Sequence, residues 1–365
     1  MAKRLVVCCD GTWNRPDQLK DGIPAPTNVS KLALAVARRD EKGTEQVVFY
    51  AQGVGTRRLE HITGGAFGVG LSRNVRECYA FLVENYEPGD ELFFFGFSRG
   101  AFTARSTVGF VRNCGILKRE HAGRIGAAYA LYRQRGRKTR PTSLAAELFR
   151  RMYSHPDEDI AFVGVWDTVG ALGIPNGLFR PKFMTDRYAF HDTELSSHVR
   201  AAYHALAIDE RRKPFEPTLW KQQDHATDQT LEQVWFSGVH CDVGGGYSDP
   251  SLGEIPLLWM ADRAREHGLA LDPDRLVPAD GHIPDELRCV GIRVAPDSCG
   301  EIHDSFQGPY KVLGPYERPL EADAGSVAAS ALRRRETLSD YAPRQLDGYR
   351  GPTATVPDSS ARATA

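Results

Sequence analysis

The sequence predicts an α/β fold: a mostly parallel sheet flanked by helices, with a long insertion between two of its later strands. Three observations carry this. Short apolar runs alternate with helix-length amphipathic ones. The short runs are apolar at consecutive positions, as strands covered on both faces require. One of them ends in Gly96-Phe97-Ser98-Arg99-Gly100, a glycine-flanked serine where a strand gives way to a helix.

The first strand is Arg4 to Cys9, stopped by Asp10-Gly11-Thr12. After a polar, Pro-rich loop, Asn28 or Ser30 is expected to cap a helix reaching about Arg38. Gln46 to Tyr50 reads as a second strand, and a Gly-rich stretch runs from Gly53 to Gly70. Helical spacing of Val75, Tyr79, Leu82 and Val83 predicts a helix over Asn74 to Asn85. Pro88-Gly89-Asp90 turns the chain into a third strand, Glu91 to Phe95, and a helix follows from Arg99 to about Asn113. Glu120 to Tyr153 is helical in character. A fourth strand, Ile160 to Trp166, stops at Asp167, and a fifth, Gln233 to Val239, stops at His240. A helix over Ile255 to Glu266 precedes a C-terminal part without a clear pattern.

The 365 residues are read as one domain over 1–349, in which about 170–232 form a cap or insertion. The small, polar tail 350–365 is expected to be disordered. A formal net charge of -1 gives no reason to expect a nucleic-acid partner. The basic run Arg333-Arg334-Arg335 is expected on a solvated helix face. No apolar run is long enough to cross a bilayer, and Leu5 to Cys9 is too short for a signal-peptide core. Seven cysteines without a CxxC pair read as free thiols in the cytoplasm, with export by a machine that needs no signal peptide as the alternative.

Ser98 is the expected nucleophile. The elbow holds its hydroxyl above the sheet, and the following helix N-terminus favours negative charge beside it. A serine hydroxyl needs a base, and the base needs an orienting acid, in the chain order Ser, acid, His. In a parallel sheet these groups belong at strand C-terminal ends. Asp167 and His240 meet both demands, with Asp242 and Asp10 as alternative acids. His191, His198, His204, His225, His282 and His303 do not stand at an expected strand end. Oxyanion donors are expected from the backbone of Arg99 and of Gly11 or Thr12, ahead of the Gly53-Val54-Gly55 loop. No cofactor is required.

Several motifs now stand in order: Cys9-Asp10-Gly11-Thr12-Trp13-Asn14, Thr27-Asn28-Val29, Gly53-Val54-Gly55-Thr56, the Ser98 elbow, Trp166-Asp167-Thr168-Val169-Gly170, and Gly238-Val239-His240-Cys241-Asp242-Val243-Gly244-Gly245-Gly246-Tyr247. Together they resemble the α/β-hydrolase family that includes the catalytic domain of the phospholipase effectors of bacterial type VI secretion. The resemblance covers roughly residues 4–270, with an echo at Tyr341-Ala342-Pro343. It implies a Ser98-Asp167-His240 triad and ester hydrolysis, with glycerophospholipids as the substrates of its best-known members. The secreted effectors carry large additional regions for membrane contact, and this chain shows no amphipathic anchoring helix, which leaves peripheral membrane contact open.

Between Asp167 and His240, Leu172, Ile174, Leu178, Phe179, Phe183, Phe190, Phe215 and Trp220 are expected to line an acyl pocket under the cap. Arg211, Arg212 and Lys213 read as a solvent face. The partner is thus a small-molecule or lipid ester, and the reaction is cleavage of carboxylic esters through an acyl-enzyme. Two other readings remain: a metal-dependent phosphoesterase built on Asp10, Asp167, His240 and Asp242, and a non-catalytic binding module on a hydrolase fold.

Overall fold

The computed structural model describes residues 2–12, 14, 17–20, 22–53, 64–134, 140–156, 158–170, 194–278, 292–320 and 325–358. Among them eight strands form one sheet: β1 (Arg4–Cys9), β2 (Gln46–Ala51), β3 (Glu91–Phe97), β4 (Ile160–Trp166), β5 (Val199–Ala207), β6 (Thr230–Phe236), β7 (Ser326–Ala328) and β8 (Thr353–Ala354). Every neighbouring pair is parallel. The spatial order is β8-β7-β6-β5-β4-β3-β1-β2. After β2 the chain crosses back over β1 to lay β3 on its other side. The carboxyl ends of β1 and β3 therefore flank the point where strand order reverses, and open α/β sheets bind ligands outside that point.

The described helices are α1 (Asn28–Ala35), α2 (Gly64–Asn85), α3 (Arg99–Cys114), α4 (Ile125–Arg133), α5 (Leu144–Tyr153), α6 (His240–Gly244), α7 (Ser251–Glu266) and α8 (Ala329–Thr337). Side-chain alternation along the strands sorts them into two layers. Leu5, Val7, Leu92, Phe94 and Val163 pack with Val75, Tyr79 and Leu82 of α2 and Phe110 of α3. Val6, Cys8, Phe93, Phe95 and Phe162 pack with Val29 and Leu32 of α1 and Trp259 of α7. Both faces are covered, which is why the strands read as continuous apolar runs. No described helix is long and apolar enough to cross a membrane. The six described cysteines are free thiols.

Three expectations change. The α1 cap is Thr27 rather than Asn28 or Ser30: its Oγ1 accepts the Ser30 N–H at 3.2 Å. The 170–232 segment is not a cap throughout, because β5 lies inside the sheet between β4 and β6. Four alanines among its nine residues hide the strand, since alanine has weak strand preference and blurs alternation. Trp220 does not line a pocket either. It is buried in the core, edge-on to His204 at 5.5 Å, with the Arg105 guanidinium 4.3 Å from its ring centre. Leu172, Ile174, Leu178, Phe179, Phe183, Phe190, His191 and His282 lie outside the described residues.

The tail is also ordered further than its composition suggests. Thr353–Ala354 closes the sheet edge against β7, and Asp358 accepts from Arg333 at 2.6 Å. Backbone pairing to an existing edge needs no apolar side chains. Within Arg333-Arg334-Arg335, Arg334 is buried and donates to the carbonyls of Ser298 and Gly300, so the run is not wholly solvated.

Trp220→Ala tests the revised placement. The variant should lose about 3–5 kcal/mol of unfolding free energy in a denaturant titration, while its preference among nitrophenyl esters of different chain length stays unchanged. A shifted preference at full stability would return Trp220 to the pocket wall.

Candidate active site

Ser98 stands at the switch point, between the end of β3 and the start of α3. Its backbone has φ 57° and ψ -122°, a conformation that L-residues other than glycine rarely adopt. The flanking glycines make the turn feasible. A Cβ on Gly96 would lie 2.6 Å from Ala101 Cα, and one on Gly100 would overlap the carbonyl oxygens of Cys9 and Asp10. The elbow thus draws α3 against both β3 and the end of β1.

Asp167 follows β4 and also has positive φ, 39°. His240 is the first residue of α6, four residues beyond the end of β6 rather than at it. The two meet: His240 Nδ1 lies 2.5 Å from Asp167 Oδ2, with both side chains buried. Burial works to raise the Asp167 pKa, but the Arg318 guanidinium and His240 outweigh it and hold the carboxyl well below its ordinary range. An ionised carboxylate only accepts, so Nδ1 carries the hydrogen and Nε2 keeps its lone pair. Burial lowers the His240 pKa from the ordinary 6.5, against the pull of Asp167, so the imidazole is neutral at neutral pH. Phe97 and Phe215 flank the ring, with centroids 4.6 and 4.9 Å away.

The alternative acids have other partners. Asp242 accepts from His303 Nδ1 at 2.7 Å and from the Val239 N–H at 2.9 Å, and burial pushes its pKa up. Asp10 accepts from Thr27 Oγ1 at 2.7 Å, from the Gly11 N–H at 2.6 Å and from Tyr50; burial pushes it up to about 6. Asp10 and Asp242 therefore do not join Asp167 and His240 in one group. Among the described residues no three His, Cys, Asp or Glu side chains group as a metal ion would need. Asp167 instead faces a guanidinium, which repels a cation.

The Gly11 N–H is spent on Asp10, which removes it as an oxyanion donor and leaves Thr12 in that loop. Thr12 is buried, and its Oγ1 has no hydrogen-bond partner among the described residues. A Cβ on Gly53 would overlap the Gly11 carbonyl, so Gly53 packs against Gly11; Val54 and Gly55 lie outside the described residues. His204, another histidine of the sequence, does not reach Ser98 and packs inside the sheet, beside Thr168. It is fully buried in β5 and its Nε2 accepts the Thr168 N–H at 3.1 Å, while burial takes its pKa down to about 3.

The remaining motif residues hold these pieces together. Asn28 Nδ2 donates to the carbonyls of Val243 and Gly253 at 2.9 and 2.8 Å, tying α1 to α6 and α7. A Cβ on Gly244 would overlap the Phe97 ring, and Gly245 has φ +80° against the backbone of Asn28.

Sequence reasoning missed Arg318, Glu210 and Arg212. Arg318 is fully buried and bonds both carboxylate oxygens of Asp167, from Nη1 to Oδ1 at 2.6 Å and from Nη2 to Oδ2 at 3.0 Å. Glu210 accepts the His240 N–H at 3.3 Å and is held by Arg212 through two bonds, at 2.8 and 2.7 Å. Arg212 also lies 3.6 Å from the centre of the Phe215 ring, so it belongs to the site wall, while Arg211 and Lys213 are exposed. The charged run Asp209 to Lys213 was visible, but the strand that places it, β5, was not. Arg318, 151 positions from its partner, has no local signal.

Residues 3–263 match the family described as T6SS, phospholipase effector Tle1-like, catalytic domain. An uncharacterized protein of Saccharomyces cerevisiae is 30% identical over 310 residues, spanning 76% of this chain and 42% of its own. The crystal structure of an uncharacterized protein from Pseudomonas aeruginosa superposes with TM-score 0.47 at 19% identity, over 74% of this chain and 46% of that one. The Tle1 effector bound to the VgrG spike of the type 6 secretion system gives TM-score 0.36 at 18% identity, over 67% and 51%. The chain thus spans about half the length of these relatives or less. By the extent of the family match, the chain belongs to the Tle1-like phospholipase effector catalytic-domain family.

Proposed function

We propose that the chain is a serine hydrolase that cleaves carboxylic esters of lipids, phospholipids foremost, through an acyl-enzyme. The observation that carries this reading is the 2.5 Å contact between His240 Nδ1 and Asp167 Oδ2, made at the same sheet edge as the strained Ser98 elbow. The family supplies the substrate class, as a proposal for this chain.

In this mechanism His240 Nε2 takes the Ser98 hydroxyl proton as Oγ attacks the ester carbonyl carbon. The oxyanion forms against the N–H groups of Arg99 and Thr12. The intermediate collapses, the alcohol departs with the proton from His240, and water attacks the acyl-enzyme with His240 again as base. His240 then gives that proton to Ser98 Oγ as the acyl bond breaks, and the carboxylic acid leaves with water's other hydrogen. Asp167 stays ionised throughout, its charge steadying the transient imidazolium. Burial keeps the base neutral, and so competent, at neutral pH.

Ser98→Ala should lower kcat on a soluble nitrophenyl ester by at least about 10,000-fold. A fluorophosphonate probe should add one label to the unmodified protein, mapped to Ser98 by peptide mass. Full esterase activity in the variant would sink the mechanism.

Incubation with phosphatidylglycerol vesicles should release free fatty acid, detected by mass spectrometry. A phosphorylated headgroup without fatty acid would instead identify a phosphoesterase.

The pH profile has a definite sign. Since burial lowers the His240 pKa below 6.5, kcat/KM should be level through neutral pH and fall only as the medium turns acid beyond that value. A midpoint at or above about 7, higher than a free imidazole, would contradict a buried neutral base.

A further inference from the structure

Three carboxylates surround the turn that carries His240, and one stretch of chain reaches all of them. Asp167 pairs with the imidazole itself. Glu210 accepts the His240 N–H, and Asp242 accepts the N–H of Val239 just before it. Each is then held from the segment between His303 and Arg318. His303 donates to Asp242 from Nδ1 at 2.7 Å and from its backbone at 3.2 Å. The Ser305 hydroxyl lies 3.1 and 3.3 Å from the two Glu210 oxygens. Arg318 forks onto Asp167 and also donates to the carbonyls of Ala207 and Phe215. The whole segment lies beyond residue 263, where the family match ends.

We propose that the stretch from His303 to Arg318 is a clasp that fixes the His240 imidazole, with Arg318 as the positioning residue for Asp167. The inference rests on the Ser98–His240–Asp167 reading and deepens it.

The physical case begins with Arg318. A guanidinium buried this completely is weak evidence for stability, because its desolvation offsets much of its ion-pair energy. Its geometry is informative. A two-pronged bond fixes the carboxylate plane, which a single contact to His240 cannot do. With Asp167 held in that plane, Oδ2 presents to Nδ1 and the Nε2 lone pair is directed away from the acid. Charge leads to the same conclusion. A buried carboxylate with only a histidine beside it draws a proton into the pair, and a protonated imidazole is no base. Arg318 balances Asp167 so that an ionised acid and a neutral imidazole coexist. The other charged groups acting on the imidazole are Arg212, which opposes its protonation, and Glu210, which favours it. The latter two are bonded to each other, which leaves Asp167 and Arg318 as the balance to be tested.

The test is the pH profile of kcat and kcat/KM on a soluble ester for Arg318→Gln, Arg318→Lys and His303→Gln, with folding checked by circular dichroism. Arg318→Gln should lower kcat about 100-fold with KM nearly unchanged. Its acid limb should move up by about one pH unit, because the uncompensated Asp167 now favours imidazolium. Arg318→Lys restores charge but not the fork, so its acid limb should stay near that of the unmodified protein while kcat remains reduced. His303→Gln should lower kcat by less. If Arg318→Gln does not fold, the split between limb and kcat in Arg318→Lys decides, and unchanged kcat there overturns the clasp. A loss of thermal stability with both kcat and acid limb preserved also overturns it. Ser98→Ala in parallel separates the two failures: an active Ser98→Ala protein removes the triad reading itself, whereas an inactive one beside a fully active Arg318→Gln removes the clasp alone.

Discussion

A carboxylate closed off from water has to be balanced by charge within reach, and Asp167 is fully buried. Much of the surrounding structure answers that demand. The charge comes from Arg318 at 2.6 and 3.0 Å, and the neutral His240 adds a hydrogen bond at 2.5 Å. The Ala207 N–H adds a third contact to Oδ1 at 3.1 Å, so the end of β5 takes part as well. Ionised acids near histidines are common in proteins. Here the acid is ionised without protonating its histidine: Arg318 holds the carboxylate down while burial lowers the imidazole. Asp242 shows the contrast: it also has a histidine partner but no guanidinium, and burial moves its pKa up instead of down.

The backbone is under a comparable constraint at the elbow. Placing Ser98 above the sheet requires α3 to start within contact of β1, and that closeness leaves no volume for side chains at Gly96 or Gly100. The same closeness turns the Asp10–Thr12 loop toward the start of α3. Asp10 then shapes the loop by taking the Gly11 N–H, the Thr27 hydroxyl and the Tyr50 hydroxyl. Thr27 caps α1, whose next residue, Asn28, secures the far end of α6. The Ser98 loop, the Asp10–Thr12 loop and the His240 helix are thereby linked through two adjacent residues, Thr27 and Asn28.

This linkage explains what was legible in the sequence. Strands covered on both faces leave continuous apolar runs, so β1, β3 and β4 stood out, and local steric demands left a glycine signature at Ser98. Strand ends then pointed to Asp167 and, within a few residues, to His240. What depends on packing at a distance was hidden. β5 needs small side chains where helices and neighbouring strands press on it, and its alanines read as irregular chain. Trp220 looked like a pocket residue by composition, although its neighbours His204 and Arg105 draw it into the core. The Gly11 N–H looked free until the adjacent carboxylate was seen to occupy it. Arg318 lies in Glu317-Arg318-Pro319, a tripeptide indistinguishable from any surface turn. Only the fold reveals that it is wholly buried.

The boundary of sequence similarity and the boundary of the physical unit therefore differ. The family match stops at residue 263, close to the end of α7, with six of the eight strands formed. At that point Val234 and Trp235 of β6 would present an unpaired edge where β7 now sits. Trp235 would lose its packing against Val327, Ala331 and Tyr341. Asp167 would be left buried without the guanidinium that balances it. Removing one partner from a buried ion pair typically costs about 3–5 kcal/mol, a large part of the net stability of an ordinary domain. The residues after 263 complete both the sheet and the charge balance at its centre, so the electrostatics of Asp167 and the extent of the fold are one problem.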